Sequence, residues 1–263
     1  LIIFVIYLLM DKNFPWSSKY FPESKNPYIM SRSKIDLYLR CKRCAYLDMR
    51  LQIKGPKPFP YNLNSRIDTL LKNEFDVARK SKEQTIYQKE ANINAIPFSH
   101  PELDVWREPF KAARYHHKET NIIIAGSVDD LWENLDTKKI HIVDYKSTHT
   151  DKFDKLKSFD APYLIGYKRQ AEIYSWILSK LGLEIDNTSY FFYVNAKPDQ
   201  EIFNNSLEFE WTIIPYTTKS YNWVEDTIVE IKNFLETNKI PSSNPDCDLC
   251  KYMSKFFDFI KKK

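Results

Sequence analysis

The chain has 263 residues, a formal net charge of +4, and 4 Gly against 17 Phe and 17 Tyr. That length holds one large domain or two small ones, and without a Gly/Ser- or Pro-rich linker it reads as one, with a compact aromatic core. The mild charge permits nucleic-acid binding without arguing for it, and no apolar run reaches the roughly 20 residues that a membrane span needs.

The chain opens with Leu1-Ile2-Ile3-Phe4-Val5-Ile6-Tyr7-Leu8-Leu9-Met10. This run is too short to cross a bilayer and lacks the basic lead and small-residue cleavage site of a secretory signal. Met10 and Met30 are candidate starts. Residues 1–30 therefore read as an extension of the reading frame outside the native fold, with a weak membrane anchor as the rival. A single domain is expected over 31–253, followed by a basic tail over 254–263, in a cytoplasmic protein with no membrane partner.

From Ser33 to Leu51 the apolar positions Ile35, Leu39 and Tyr46 predict a helix, with Ser33 as N-cap and Asp36 three residues on. Cys41 and Cys44 lie one turn apart on it. Gly55-Pro56, Pro58 and Pro60 break it. A second helix is expected from Asn64, as cap, to Arg79, with Ile67, Leu70, Leu71, Phe75 and Ala78 as its apolar stripe. Residues 81–120 give little signal beyond a strand over Glu102–Phe110. Ile122–Trp132 and Lys139–Ser147 are rich in β-branched and aromatic residues and predict a hairpin about the polar turn Asn134–Lys138. Pro162 opens a helix that ends near Gly182. Strands follow over Ser189–Asn195 and Leu207–Ile214, then a helix from about Lys219 to Asn238. The order predicts an α/β fold, a mixed β-sheet flanked by helices.

The second strand of the hairpin ends in Asp144-Tyr145-Lys146. Alternation puts Asp144 and Lys146 on one face, with Val143 and Tyr145 on the other. Pairing across the turn brings Asp129 towards Asp144, while Asp130 points away. Two carboxylates beside an ammonium in an apolar hairpin are costly unless a cation or a reacting anion uses them. Asp129, Asp144 and the Tyr145 carbonyl are hard oxygen ligands suited to Mg²⁺ or Mn²⁺, and Lys146 is placed to orient a water or offset phosphate charge. The bland alternative is a surface ion pair at a strand end. Gln170 and Tyr174, four apart, share a helix face.

These residues together resemble a known motif set. Gly126-x-x-Asp129, Val143-Asp144-Tyr145-Lys146-Ser147-Thr148 and Gln170-x-x-x-Tyr174 are similar to the nuclease motifs of the RecB/AddB-like branch of the PD-(D/E)XK superfamily, which includes the CRISPR-adaptation exonucleases. The resemblance implies a restriction-endonuclease-like core and metal-dependent cleavage of DNA, with exonuclease action in repair, recombination or defence. It makes Asp129 and Asp144 metal ligands, Lys146 the catalytic lysine, and Gln170 and Tyr174 the helix pair that contacts the active site or DNA. Relatives place a His ligand on an early helix. The matching position here is Asp68, with Glu74 as competitor.

Cys41-x-x-Cys44 and Cys247-x-x-Cys250 hold all four cysteines of the chain. Two such pairs have the ligand count of a Cys₄ site for zinc or an iron–sulfur cluster that joins the chain ends, against a plain reading of four buried thiols. Members of the resembled branch carry a [4Fe-4S] cluster on one early and three late cysteines. This chain has two and two, and the resemblance favours the cluster, with Zn²⁺ as alternative.

Lys168 and Arg169, beside Gln170, are the leading DNA-binding candidates, with Lys42, Arg43, Lys72, Arg79, Lys80, Lys82, Lys152, Lys155 and Lys157 as further ones. The expected partner is DNA, single-stranded or with a free end, and a separate helicase or recombination protein would supply any motor. Two rival functions are a metal-stapled DNA-binding or scaffold module with an idle or partner-dependent nuclease site, and a non-nuclease metal hydrolase.

Overall fold

The structure is a computed structural model, and it describes residues 19–56, 61–156, 158–161 and 164–261. Leu1–Met10, Pro58, Pro60, Lys157, Pro162, Lys262 and Lys263 lie outside the described residues. Where the sequence reads as one domain, the described residues group into two compact units. One combines the described residues before 58 with Arg114–Ala125 and those from Asn222 onward. The other combines those from 61 to Ala113 with Gly126–Tyr221.

The first unit carries a sheet of β1 (Tyr28–Ser31), β3 (Ala113–His117) and β4 (Ile122–Gly126), in the order β1-β4-β3. β1 runs parallel to β4, from Tyr28 opposite Ile122 to Ser31 opposite Ala125. Residues ahead of Met30 take part, since Tyr20, Tyr28 and Ile29 are buried. The helix expected over Ser33–Leu51 is two helices, α1 (Arg32–Arg40) and α2 (Lys42–Leu51). Cys41 between them is extended, with φ −157° and ψ 103°, and its sulfur accepts from the Cys44 N–H as the N-cap of α2. Ser31, not Ser33, precedes α1. α8 (Trp223–Glu236) presents Val224, Ile228, Ile231 and Leu235 as its buried stripe, and its Phe234 ring packs edge-on against Tyr38 and Tyr46. α9 (Asp248–Lys261) continues through the segment expected to be a basic tail.

The second unit is built on a five-stranded sheet, β2 (Ala95–Pro97), β5 (Asp130–Asn134), β6 (Ile140–His149), β7 (Thr188–Ala196) and β8 (Phe209–Thr217), in that order. β6 and β7 are parallel and the other pairs antiparallel, so the sheet is mixed. The β5–β6 turn is where the sequence puts it: the Asn134 side chain accepts from the Asp136 and Thr137 N–H groups. The strand expected over Ile122–Trp132 is instead broken at Ser127–Asp129, with β4 in one sheet and β5 in the other.

α3 (Asn62–Ser81) packs Leu71 and Phe75 onto the sheet face formed by Trp132, Val143, Tyr145, Phe192 and Val194. α7 (Ile165–Lys180) and the segment before it put Phe159, Leu164 and Ala171 against Phe191, Tyr193 and Ile214 on the other face. Phe75 stacks on Trp132 with ring centroids 5.3 Å apart. Two short helices, α4 (Ile86–Glu90) and α5 (Leu103–Arg107), and α6 (Phe153–Leu156) complete the unit. Glu102–Phe110, expected as a strand, contains α5, whose buried Leu103 and Trp106 are three apart as a helix requires. Among the described residues no helix is long and apolar enough to cross a membrane.

Candidate functional site

β6 delivers Asp144 and Lys146 to the face that α7 covers. Asp144 is 2% exposed. Lys146 Nζ sits against its Oδ2, and Gln170 Nε2 donates to its Oδ1 at 2.6 Å. The same Gln170 amide donates to the Tyr174 hydroxyl at 3.2 Å, so one amide joins the Asp144 carboxylate to the tyrosine a turn further on. Tyr167, one turn before Gln170, places its ring 4.6 Å from Lys146 Nζ, a cation–π contact that the motif reading missed. Its spacing from Gln170 was the signal.

The backbone explains where Asp129 sits. The β5–β6 ladder ends at Asp130 opposite Val143, which leaves the Tyr145 N–H beyond it without a strand partner. Asp129 Oδ2 accepts that N–H at 3.0 Å. Its Oδ1 faces Lys72 Nζ at 3.6 Å, and Lys72 also holds Asp68 Oδ2 at 2.9 Å. Asp68 is therefore the α3 acid that lies near Asp129. Glu74, its competitor, is exposed and accepts from the Tyr87 hydroxyl at 3.2 Å.

Asp130 faces the other way, as alternation requires. It is fully buried, accepts from Arg79 and Arg107 at 2.5 and 2.9 Å through Oδ1, and from the Tyr145 hydroxyl at 2.7 Å through Oδ2. Asp76 accepts twice from Arg107 Nη1, at 2.8 and 2.9 Å. Arg107 Nε also donates to the Asp129 carbonyl at 3.1 Å, so this structural network fixes the backbone of the site acid. The network sets Arg79 apart from a DNA path. Lys72 is likewise tied to two acids, and Arg43 donates to the Pro241 carbonyl. Lys168 is half-buried with Nζ over the Phe159 and Tyr216 rings, at 5.4 and 5.7 Å, and Arg169 beside it is also half-buried.

Burial pushes the Asp144 carboxyl above the usual carboxylate range; Lys146 opposes the shift and Asp129 adds to it. Asp68 is raised by burial and then by Asp129. Burial works to lower Lys146, but the charges of Asp144 and Asp129 outweigh it and raise its pKa. Asp144, Asp68 and Lys146 alike hold their protons more tightly than they would in water.

The four cysteines form a second cluster, within the first unit. Cys41 and Cys250 sulfurs are 3.7 Å apart, Cys44 and Cys247 3.6 Å, and Cys44 and Cys250 3.9 Å. All are free thiols, and Leu37 and Leu249 pack against them. Burial raises the Cys41 and Cys44 thiols. Among the described residues this is the sole group of three or more His, Cys, Asp or Glu whose ligand atoms all lie within 4.8 Å of one another. The four cysteines from the two ends of the chain thus meet at a spacing that can hold a metal. Asp68, Asp129 and Asp144 do not converge as tightly, and Lys72 bridges the first two.

No family model and no curated protein matches the sequence. Among solved structures, the crystal structure of SSO0001 aligns over 88% of this chain and 86% of that one, at 14% identity and a TM-score of 0.37.

Proposed function

We propose that the chain is a metal-dependent DNA nuclease of the RecB/AddB-like branch of the PD-(D/E)XK superfamily, with its restriction-endonuclease-like core in the sheet β2-β5-β6-β7-β8 and its flanking helices. The observation that carries the reading is the buried Asp144, held by Gln170 and Lys146 and neighboured by Asp129. Asp129, Asp144, the Tyr145 carbonyl and Asp68 would hold Mg²⁺ or Mn²⁺. The donor set suits a hard cation, and a site that raises the proton affinity of two acids and an amine is short of positive charge. Such an ion lowers the pKa of a bound water and offsets charge on a phosphoryl oxygen. In this chain Lys146 positions the water and the developing charge, and Gln170 fixes the Asp144 carboxylate. The substrate is DNA with a single strand or a free end, attacked by exonuclease action, and any helicase partner is a separate protein.

One observation favours the second reading, a metal-stapled DNA-binding module whose nuclease site is idle or partner-dependent: the ammonium of Lys72 lies between Asp68 and Asp129. The two separate in one assay. Release of nucleotides from single-stranded DNA is expected with Mg²⁺ or Mn²⁺, and is expected to fall below detection in Asp144→Ala and Lys146→Ala. Cleavage by both variants at the wild-type rate would refute the assignment.

A further inference from the structure

Four thiolates on one metal ion occupy the corners of a tetrahedron. With metal–sulfur bonds of about 2.3 Å, those corners stand about 3.8 Å apart. The recorded edges are 3.6, 3.7 and 3.9 Å, and no sulfur lies more than 4.8 Å from another. In a cubane cluster each thiolate binds a different iron. Its sulfur then stands off the centre by the iron's own displacement as well as by a bond, and every edge lengthens in proportion. Sulfurs near van der Waals contact leave no room for four irons and four sulfides. The [4Fe-4S] cluster that the family resemblance implies does not fit these four residues.

Local structure makes the same distinction. Both C-x-x-C segments put one cysteine just ahead of a helix and the other in its first turn: Cys41 and Cys44 at α2, Cys247 and Cys250 at α9. The Cys44 N–H points at the Cys41 sulfur, 3.5 Å away. Four thiolates around a dication carry net negative charge, and the N-terminal ends of two helices favour it. Cys41, Cys44 and Cys250 are buried, so the ligand set is closed, as in a structural site. Of the divalent ions that accept four thiolates in a tetrahedron, Zn²⁺ binds more tightly than Fe²⁺.

We propose that Cys41, Cys44, Cys247 and Cys250 bind a single Zn²⁺ as a structural site. This deepens the metal staple named in the second reading above and is independent of the acids around Asp144. Protein made with iron and zinc both in the medium, and purified without oxygen, is expected to carry one zinc per chain and no acid-labile sulfide. X-ray absorption at the zinc edge is expected to show four sulfur neighbours at about 2.3 Å. Exchange with Co²⁺ is expected to give the intense visible bands of tetrahedral thiolate coordination.

Iron accompanied by acid-labile sulfide overturns the single-ion site and leaves the staple standing. One iron without sulfide overturns the choice of zinc. Neither metal removes the staple as well, and none of these results bears on nuclease activity. In Cys247→Ser, at the half-buried position, the zinc shell is expected to change to three sulfurs and one oxygen, and an unchanged shell overturns the ligand assignment. The wild-type absorption measurement decides the matter by itself if that variant does not fold.

Discussion

Asp129 and Asp130 are neighbours with opposite duties, and a pair of substitutions separates them. In Asp129→Asn the amide oxygen can still accept the Tyr145 N–H, so stability is expected to stay within about 1 kcal/mol of wild type while metal-dependent cleavage is lost. Asp130→Ala leaves Arg79 and Arg107 facing a fully buried gap and is expected to cost about 3–5 kcal/mol in denaturant unfolding. Equal stability losses in the two variants would remove the distinction. Strand alternation alone made this difference legible, because side-chain direction needs no tertiary information. The partners of Asp130 were not legible: Arg79 and Arg107 are 51 and 23 residues away, and Arg79 was read only as a DNA-path candidate. The pairing of Lys72 with Asp68 was open to the sequence, since their spacing is that of a helix ion pair.

At the scale of elements, the motif glycine acquires a physical reason. A Cβ at Gly126 would lie 2.6 and 2.8 Å from two ring carbons of Tyr174. The glycine leaves room for the Tyr174 ring, and with it the position of Gln170, beside its own backbone. Gly126→Ala is therefore expected to cost about 1–3 kcal/mol and to reduce cleavage by displacing the Gln170–Tyr174 pair; wild-type melting temperature and rate would contradict this. The buried network that ties α3, α5, β5 and β6 has a pH signature. Burial works to raise the Asp76 carboxyl, but Arg107 and Arg79 outweigh it and hold its pKa below the ordinary 3.8. Its contribution is thus full above about 3.8 and lost as pH falls through the depressed value. Unfolding free energy should drop over that acid range, and less steeply in Asp76→Asn. Long amphipathic helices and the β5–β6 turn were readable from local pattern. The break between β4 and β5 was not, because β4 is claimed by β1, a strand more than ninety positions earlier. α5 was read as a strand because Val105 and Trp106 carry strand propensity and five residues are too few to show a helical period.

For the whole molecule, the chain's path sets what each unit needs. The first unit draws on three separated stretches, and its cysteines come from the first and the last of them. The second is made from two stretches that hold every acid of the candidate nuclease site. The residues of both clusters were legible in the sequence, since each is written in short motifs. The sequence did not show the division into units, because no linker composition marks it and two of the crossings fall inside strands, at the start of β3 and at the end of β4.

The distance between the two cysteine pairs sets a schedule for synthesis. Cys44 leaves the ribosome 203 residues before Cys247, which at about 5–20 residues per second is roughly 10–40 s. Throughout that interval Cys41 and Cys44 are reduced thiols on a nascent chain with half of their ligand set unmade. A metal held by all four sulfurs can be captured only after Cys250 has emerged, and the early pair stays open to oxidants throughout that interval.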